Sequence, residues 1–169
     1  VQVATAPQGP TGPQGTQGVT GPTGPTGPEP EPGIIEYTVQ GGTDETQPTF
    51  IGDPLFHGHY VKLGQLVHFS VDVDMDNIVS FGTGQYYVTL PTNVHHGYSF
   101  SNGSLLDDST GDVYIIQGRV DVGTNVLKLY TLSPEGQSLT ETPFSQGSPI
   151  TLTTTDSFNI AGTYMSETI

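Results

Sequence analysis

The sequence predicts two unlike parts in one chain, the whole assembling as a homotrimer. Residues 1–33 are expected to form a collagen-like triple helix and its connector. Residues 34–169 are expected to form an all-β jelly-roll sandwich. Three observations predict this. Glycine recurs at every third residue from Gly9 to Gly27. Short alternations of apolar and polar residues fill the remainder, separated by turn-forming residues. No segment carries the 3.6-residue apolar stripe of a helix.

Gly9, Gly12, Gly15, Gly18, Gly21, Gly24 and Gly27 keep one phase. A period of three fits neither a helix nor a strand. It fits three polyproline-II chains wound together, because only glycine fits at their crowded axis. The slots after these glycines hold Pro10, Pro13, Thr16, Val19, Pro22, Pro25 and Pro28. Proline there presets φ for polyproline II. A plain Pro/Gly linker would explain the composition but not the phase. At ~3 Å per residue the tract would span about 60 Å.

The remaining slots hold Thr11, Gln14, Gln17, Thr20, Thr23, Thr26 and Glu29. None is proline, so the usual hydroxylation site is missing. That points away from an animal collagen and toward a bacterial or phage one. The tract also lacks lysine and arginine, hence interchain ion pairs. Holding three chains in register is therefore assigned to whatever follows Gly33.

The connector "EPEPG" is stiff and extended, since residues before proline avoid the helical region. Pro30 occupies a glycine slot and ends the tight winding. Glu29 and Glu31 of three chains would either splay the chains by repulsion or act as a solvated spacer; the residues leave both open.

Residues 34–169 suffice for one domain with a core. The net charge is −14, and Lys62, Arg119 and Lys128 are the only basic residues besides histidine. Binding nucleic acid needs clustered cations, so it is not expected. Anionic membrane surfaces are disfavoured likewise, and no apolar run approaches the ~20 residues of a membrane span. There is no cysteine, so no disulfide framework, thiolate nucleophile or cysteine zinc site. This fits assembly in a reducing cytoplasm. The chain opens on Val1, which leaves an upstream segment or signal peptide open.

The clearest strand is "LVHFSVDVDMDN", where Val67, Phe69, Val71, Val73 and Met75 alternate with His68, Ser70, Asp72, Asp74 and Asp76. Period two puts one set in a core and the other in water. Further strands are expected at 34–40, 59–63, 85–90, 97–101, 113–122, 126–132, 149–154 and 157–164. Gly64-Gln65, Asp107 to Gly111, Gly123 to Asn125 and Pro134 to Gly136 supply turns. So many short strands predict a sandwich of the jelly-roll kind. The stretch "VLKLYTL" (126–132) is apolar on both faces apart from Lys128. It reads as a central strand, or as one whose second face meets a neighbouring subunit.

Three segments carry a resemblance. "HYVKLGQLVHFSVDV" (59–73) turns a tyrosine strand at a glycine into a long alternating strand. "YYVTLP" (86–91) ends a strand on leucine-proline, and "DSFNIAGTYM" (156–165) closes with Gly-Thr-Tyr. In this order they resemble the head domains of phage tail fibres and related virion proteins. Preceded by a collagen-like stalk, they look like a phage minor tail protein or tail fibre. The resemblance implies a trimeric β-sandwich similar to the globular heads of complement and tumour-necrosis-factor proteins. It also implies a location on the virion surface; the tail is the expected place, and the resemblance leaves tail or capsid attachment open. The partners it implies are the chain itself, other virion proteins and a host cell-surface glycan.

Chemistry is sparse. "DVDMDN" (72–77) starts like a calcium loop, but Asn77 and Thr83 stand where glycine and glutamate are required. Its aspartates are explained as the wet face of a strand. "DDSTGD" (107–112) reads first as a turn. His57 and His59 project to one side of an extended chain, and three copies near a threefold axis would present six nitrogens, a set suited to iron or nickel. No metal is predicted, although His57/His59 and the Asp107–Asp112 turn keep that question open. "GTGQYY" (82–87) lacks the third glycine and the helix of a phosphate loop. His95 and His96 form a poorer pair. Tyr86, Tyr87, Tyr98, Phe100 and Tyr114 offer rings for stacking on sugars, or for core and interface packing. No nucleophile-elbow or metalloprotease motif occurs. The chain is expected to be no enzyme and to need no cofactor.

Overall fold

The computed structural model describes residues 3–18, 33–52, 55–95, 100–135 and 138–167. It divides into two units, Val1–Pro30 and Glu31–Ile169. In the first, residues 3–18 lie exposed without regular secondary structure.

Every regular element of the second unit, among the described residues, is a strand. In chain order these are β1 (Ile35–Tyr37), β2 (Gly41–Thr43), β3 (Thr49–Phe50), β4 (Leu55–Leu63), β5 (Leu66–Asp74) and β6 (Ile78–Ser80). There follow β7 (Tyr86–Thr89), β8 (Phe100–Asp107), β9 (Asp112–Val120), β10 (Val126–Glu135), β11 (Ser138–Pro143) and β12 (Ser157–Met165). Nine form one continuous ladder in the order β1-β4-β5-β12-β8-β9-β10-β7-β2, with β11 added to β10 and the pair β3-β6 standing apart. The class is all-β, as expected, with the sheet curled around one core.

The construction is mostly local. Gly64 takes a φ of +59°, a conformation glycine adopts without strain. It closes a tight hairpin that pairs Leu63 with Leu66 and runs back to Leu55 opposite Asp74. β8, β9, β10 and β11 form a meander of successive antiparallel neighbours. The non-local step is made by the last strand. β12 inserts between β5 and β8, pairing Ile160 with Val71 on one side and with Gly103 on the other. The sheet between β5 and β8 is therefore continuous only through β12.

Alternation places the core. Val67, Phe69, Val71 and Val73 are buried while His68, Asp72 and Asp74 are exposed, so Asp72 and Asp74 form the wet face of a strand, whereas Asp76 lies in the turn beyond its end. β12 repeats the pattern, burying Phe158, Ile160 and Tyr164. Phe144, just beyond β11, sits centrally. Its ring lies 5.2 Å from Tyr86 and meets Phe158 edge-on at 5.7 Å. Complete burial of such a ring stabilises by about 3 kcal/mol, and Phe144→Ala would forfeit about 3–5 kcal/mol.

Several expected elements differ. No strand forms at 149–154. There Leu152 is buried and Ile150 half-buried, so the apolar alternation reports packing rather than a ladder. The backbone of this segment is held instead by side chains. Thr153 N donates to Asp156 Oδ2 at 2.7 Å, and Gln146 Nε2 donates to the Leu152 carbonyl at 3.2 Å. The strand expected at 97–101 begins at Phe100 and continues to Asp107; residues 96–99 lie outside the described residues. β2, β3, β6 and β11 were not anticipated. β10 runs through Pro134 to Glu135, past the expected turn start. It is a central strand, with β9 along one edge and β7 and β11 along the other.

Candidate functional site

Gly9, Gly12, Gly15 and Gly18 are described; Gly21, Gly24 and Gly27 lie outside the described residues. A β-carbon added at any of the four would meet nothing within 4 Å. None of them takes a positive φ. Neither crowding within the chain nor backbone conformation thus calls for glycine at these positions.

The histidine pair lies on β4. His57 is exposed and His59 half-buried, on the same face, with Gly58 between them pointing the other way. Gly58 is needed for close approach. A β-carbon there would come within 2.3 Å of Val39 Cγ2 and 2.6 Å of the Tyr37 ring, so glycine lets Tyr37 and Val39 lie across β4. β1 pairs with β4 only from Tyr60 to Gly58. Beyond that point an open hollow of about 330 Å3 remains, lined by Glu36, Tyr37, Thr38, Phe56 and the His57–His59 segment. His59 Nε2 stands 3.8 Å from Glu36 Oε1, and His57 lies opposite Asp72 on β5. Among the described residues no three histidine or carboxylate side chains converge as a metal centre. The chemistry available here is hydrogen bonding by imidazole, carboxylate and hydroxyl groups.

The "DDSTGD" stretch is a turn, and its acid is committed. Asp107 Oδ1 accepts hydrogen bonds from Ser109 Oγ at 2.6 Å, Ser109 N at 3.0 Å and Thr110 N at 3.4 Å. These bonds, that of the Ser109 hydroxyl foremost, hold the Asp107 carboxyl below its ordinary value against a smaller opposing effect of burial. Gly111 N closes the turn on the Asp107 carbonyl at 2.8 Å. Asp156, fully buried, braces the same region from the β12 side by accepting from Asp108 N at 3.1 Å. Sequence reading missed Asp156, because one of its partners, Asp108, lies 48 residues away along the chain.

Among the described side chains, Tyr86, Tyr87 and Tyr114 do not gather into one cluster. Tyr86 is buried, and its hydroxyl donates to the Phe81 carbonyl at 2.6 Å. Tyr114 packs half-buried against the core, and Tyr87 stands over Gly42. Tyr98 lies outside the described residues. Burial pushes the hydroxyls of Tyr37, Tyr86 and Tyr164 above their ordinary range. Each is spent on structure: that of Tyr37 reaches the Thr89 carbonyl at 3.2 Å and that of Tyr164 the Thr92 carbonyl at 3.1 Å.

No protein-family model and no curated protein matches the chain. Among solved structures, the Dettilon tailspike protein (gp208) is similar in fold. The TM-score is 0.53 at 15% sequence identity, covering 79% of this chain and 24% of that one. The chain therefore spans about a quarter of the tailspike's length. At this identity the likeness is one of fold.

Proposed function

We propose that the chain is a structural or adhesive virion protein, a trimeric phage tail fibre or minor tail protein. Residues 1–33 serve as a collagen-like stalk, and residues 34–169 as a jelly-roll head that holds three chains together. The observation that carries the reading is the glycine period. Within one chain nothing requires glycine at Gly9, Gly12, Gly15 or Gly18. The axis of a triple helix would require it at each of them. The likeness in fold to a phage tailspike supports the viral setting, as does the order of the motifs at 59–73, 86–91 and 156–165.

In this reading the partners are further copies of the chain, other virion proteins and a host surface glycan met by the head. The protein acts by binding and not by catalysis. That is supported by the Asp107 carboxylate and the three displaced tyrosine hydroxyls being occupied in structural bonds. Gold-labelled antibody against residues 34–169, applied to intact virions, tests the proposal. Label along the tail is expected. Label over the capsid would make the chain a capsid fibre or decoration protein. Virions without label, alongside turnover of host cell-wall glycan by the purified chain, would replace the structural reading by an enzymatic one.

A further inference from the structure

We propose that the outer face of β8, β9, β10 and β11 is the surface through which one copy of this chain docks on the next. This assignment rests on the trimeric reading above and names the contact that the reading needs.

On most strands the face turned from the core is polar. β9 breaks that rule. Val113 and Ile115 stand on its outer face, 64% and 56% exposed. Leu106 of β8 lies directly opposite Val113. Ile116 pairs with Thr131, which brings the next β10 residue, Leu132, alongside Ile115. On β11, Leu139 is 67% exposed, two residues from the Glu141 that faces Leu132. The apolar side chains thus run across four adjacent strands instead of lying scattered. Single exposed apolar residues are ordinary; a contiguous patch rimmed by polar groups marks a protein contact.

Charge selects the occupant. A chain of net charge −14 repels its own copies over most of its surface. Arg119 and Lys128, two of its three lysines and arginines, lie opposite each other beside this patch. The Arg119 guanidinium sits 5.4 Å from the centre of the Tyr130 ring and pairs with Glu141, neutralising the carboxylate within the face. Arg119 and Lys128 thus offset, beside this patch, part of the repulsion between two acidic copies. The double-sided apolarity of 126–132 has the same explanation: Leu127 and Leu129 fill the core, while Tyr130 and Leu132 face a neighbour. A ring of three closes by heterologous contact, so the patch need not meet its own equivalent.

The chain has no cysteine, so a single introduced thiol reports one position. Val113→Cys and Val79→Cys suit this, because the two valines are 64% and 60% exposed within the chain. Full-length variants are brought to a concentration where sedimentation equilibrium shows trimers, and maleimide labelling is followed with time. Val113→Cys is expected to react about tenfold more slowly than Val79→Cys, because labelling must await opening of the contact. Trimers lost in Val113→Cys alone, with the β-sheet circular-dichroism signal retained, would support the same assignment. Equal rates in trimeric proteins would overturn the surface and leave the trimer standing. An unaltered chain that sediments as a monomer would overturn both. Ile115→Cys repeats the measurement should Val113→Cys fail to fold.

Discussion

Gly103→Ala tests the keystone of the fold. Gly103 lies in β8 opposite Ile160 of β12. A β-carbon at this position would fall 1.8 Å from the Asn159 carbonyl oxygen and 2.8 Å from both Asn159 C and Ile160 Cα. All three are backbone atoms, so no side-chain rotation relieves the clash. Ordinary contact needs about 3.5 Å, which forces β8 and β12 apart by more than 1 Å at a spacing fixed near 4.8 Å by the ladder. Seven register pairs, from Ser157↔Leu106 to Thr163↔Phe100, depend on that spacing. The expected loss is about 3 kcal/mol, or roughly 10 °C in melting temperature for a domain of this size. Thermal unfolding of the full chain, followed by β-sheet circular dichroism, measures it. Val79→Ala, at an exposed position of β6 away from β8 and its outer face, should stay within about 0.5 kcal/mol of the parent. A Gly103→Ala protein that melts with the parent would show that β12 does not pair with β8 in this register. The closing strand would then lie elsewhere.

Gly18→Asp should abolish the collagen circular-dichroism signal, whereas Gln17→Asp, which adds the same charge off the axis, should leave it. The head's melting temperature should barely move in either, since distant sites act additively; loss of the signal in both variants would mean that charge and not axial crowding matters. Asp107 gives a pH dependence of known sign. Its folded pKa lies below the ordinary 3.8, so the turn's contribution is complete above that value and disappears as pH falls through the lower folded one. Asp107→Asn should therefore flatten the acid limb of a plot of melting temperature against pH below about 4; an unchanged limb would assign the acid sensitivity to other carboxylates.

What the sequence revealed depended on how local the cause was. β5 and β12 announce themselves, because alternation over nine residues has one physical meaning when one face is buried. Gly64 was legible as a turn for the same reason: its requirement is set by its own backbone. β2, β3 and β6 were not, since two or three residues cannot show a period. β11, "SLTETP", has one strong apolar residue, and that residue faces outward. The stretch 149–154 misled because Ile150 and Leu152 bury themselves without a partner strand. Gly58 and Gly103 could be read as glycines but not explained, because the atoms that exclude a side chain come from Tyr37 and Val39 in one case and Asn159 in the other. Among candidate sites, the Asp107 turn was legible from its own residues. The exposed row Leu106, Val113, Ile115 and Leu139 was not, because strand register alone brings it together.

The mass of the full-length chain in solution tests the account most directly. Sedimentation equilibrium is independent of shape and needs no partner or ligand. The glycine period and the apolar outer face of β8–β11 together predict a species three times the 17.9 kDa of one chain, persisting as concentration is lowered. A species of one or two chains would contradict the triple helix and the fibre together.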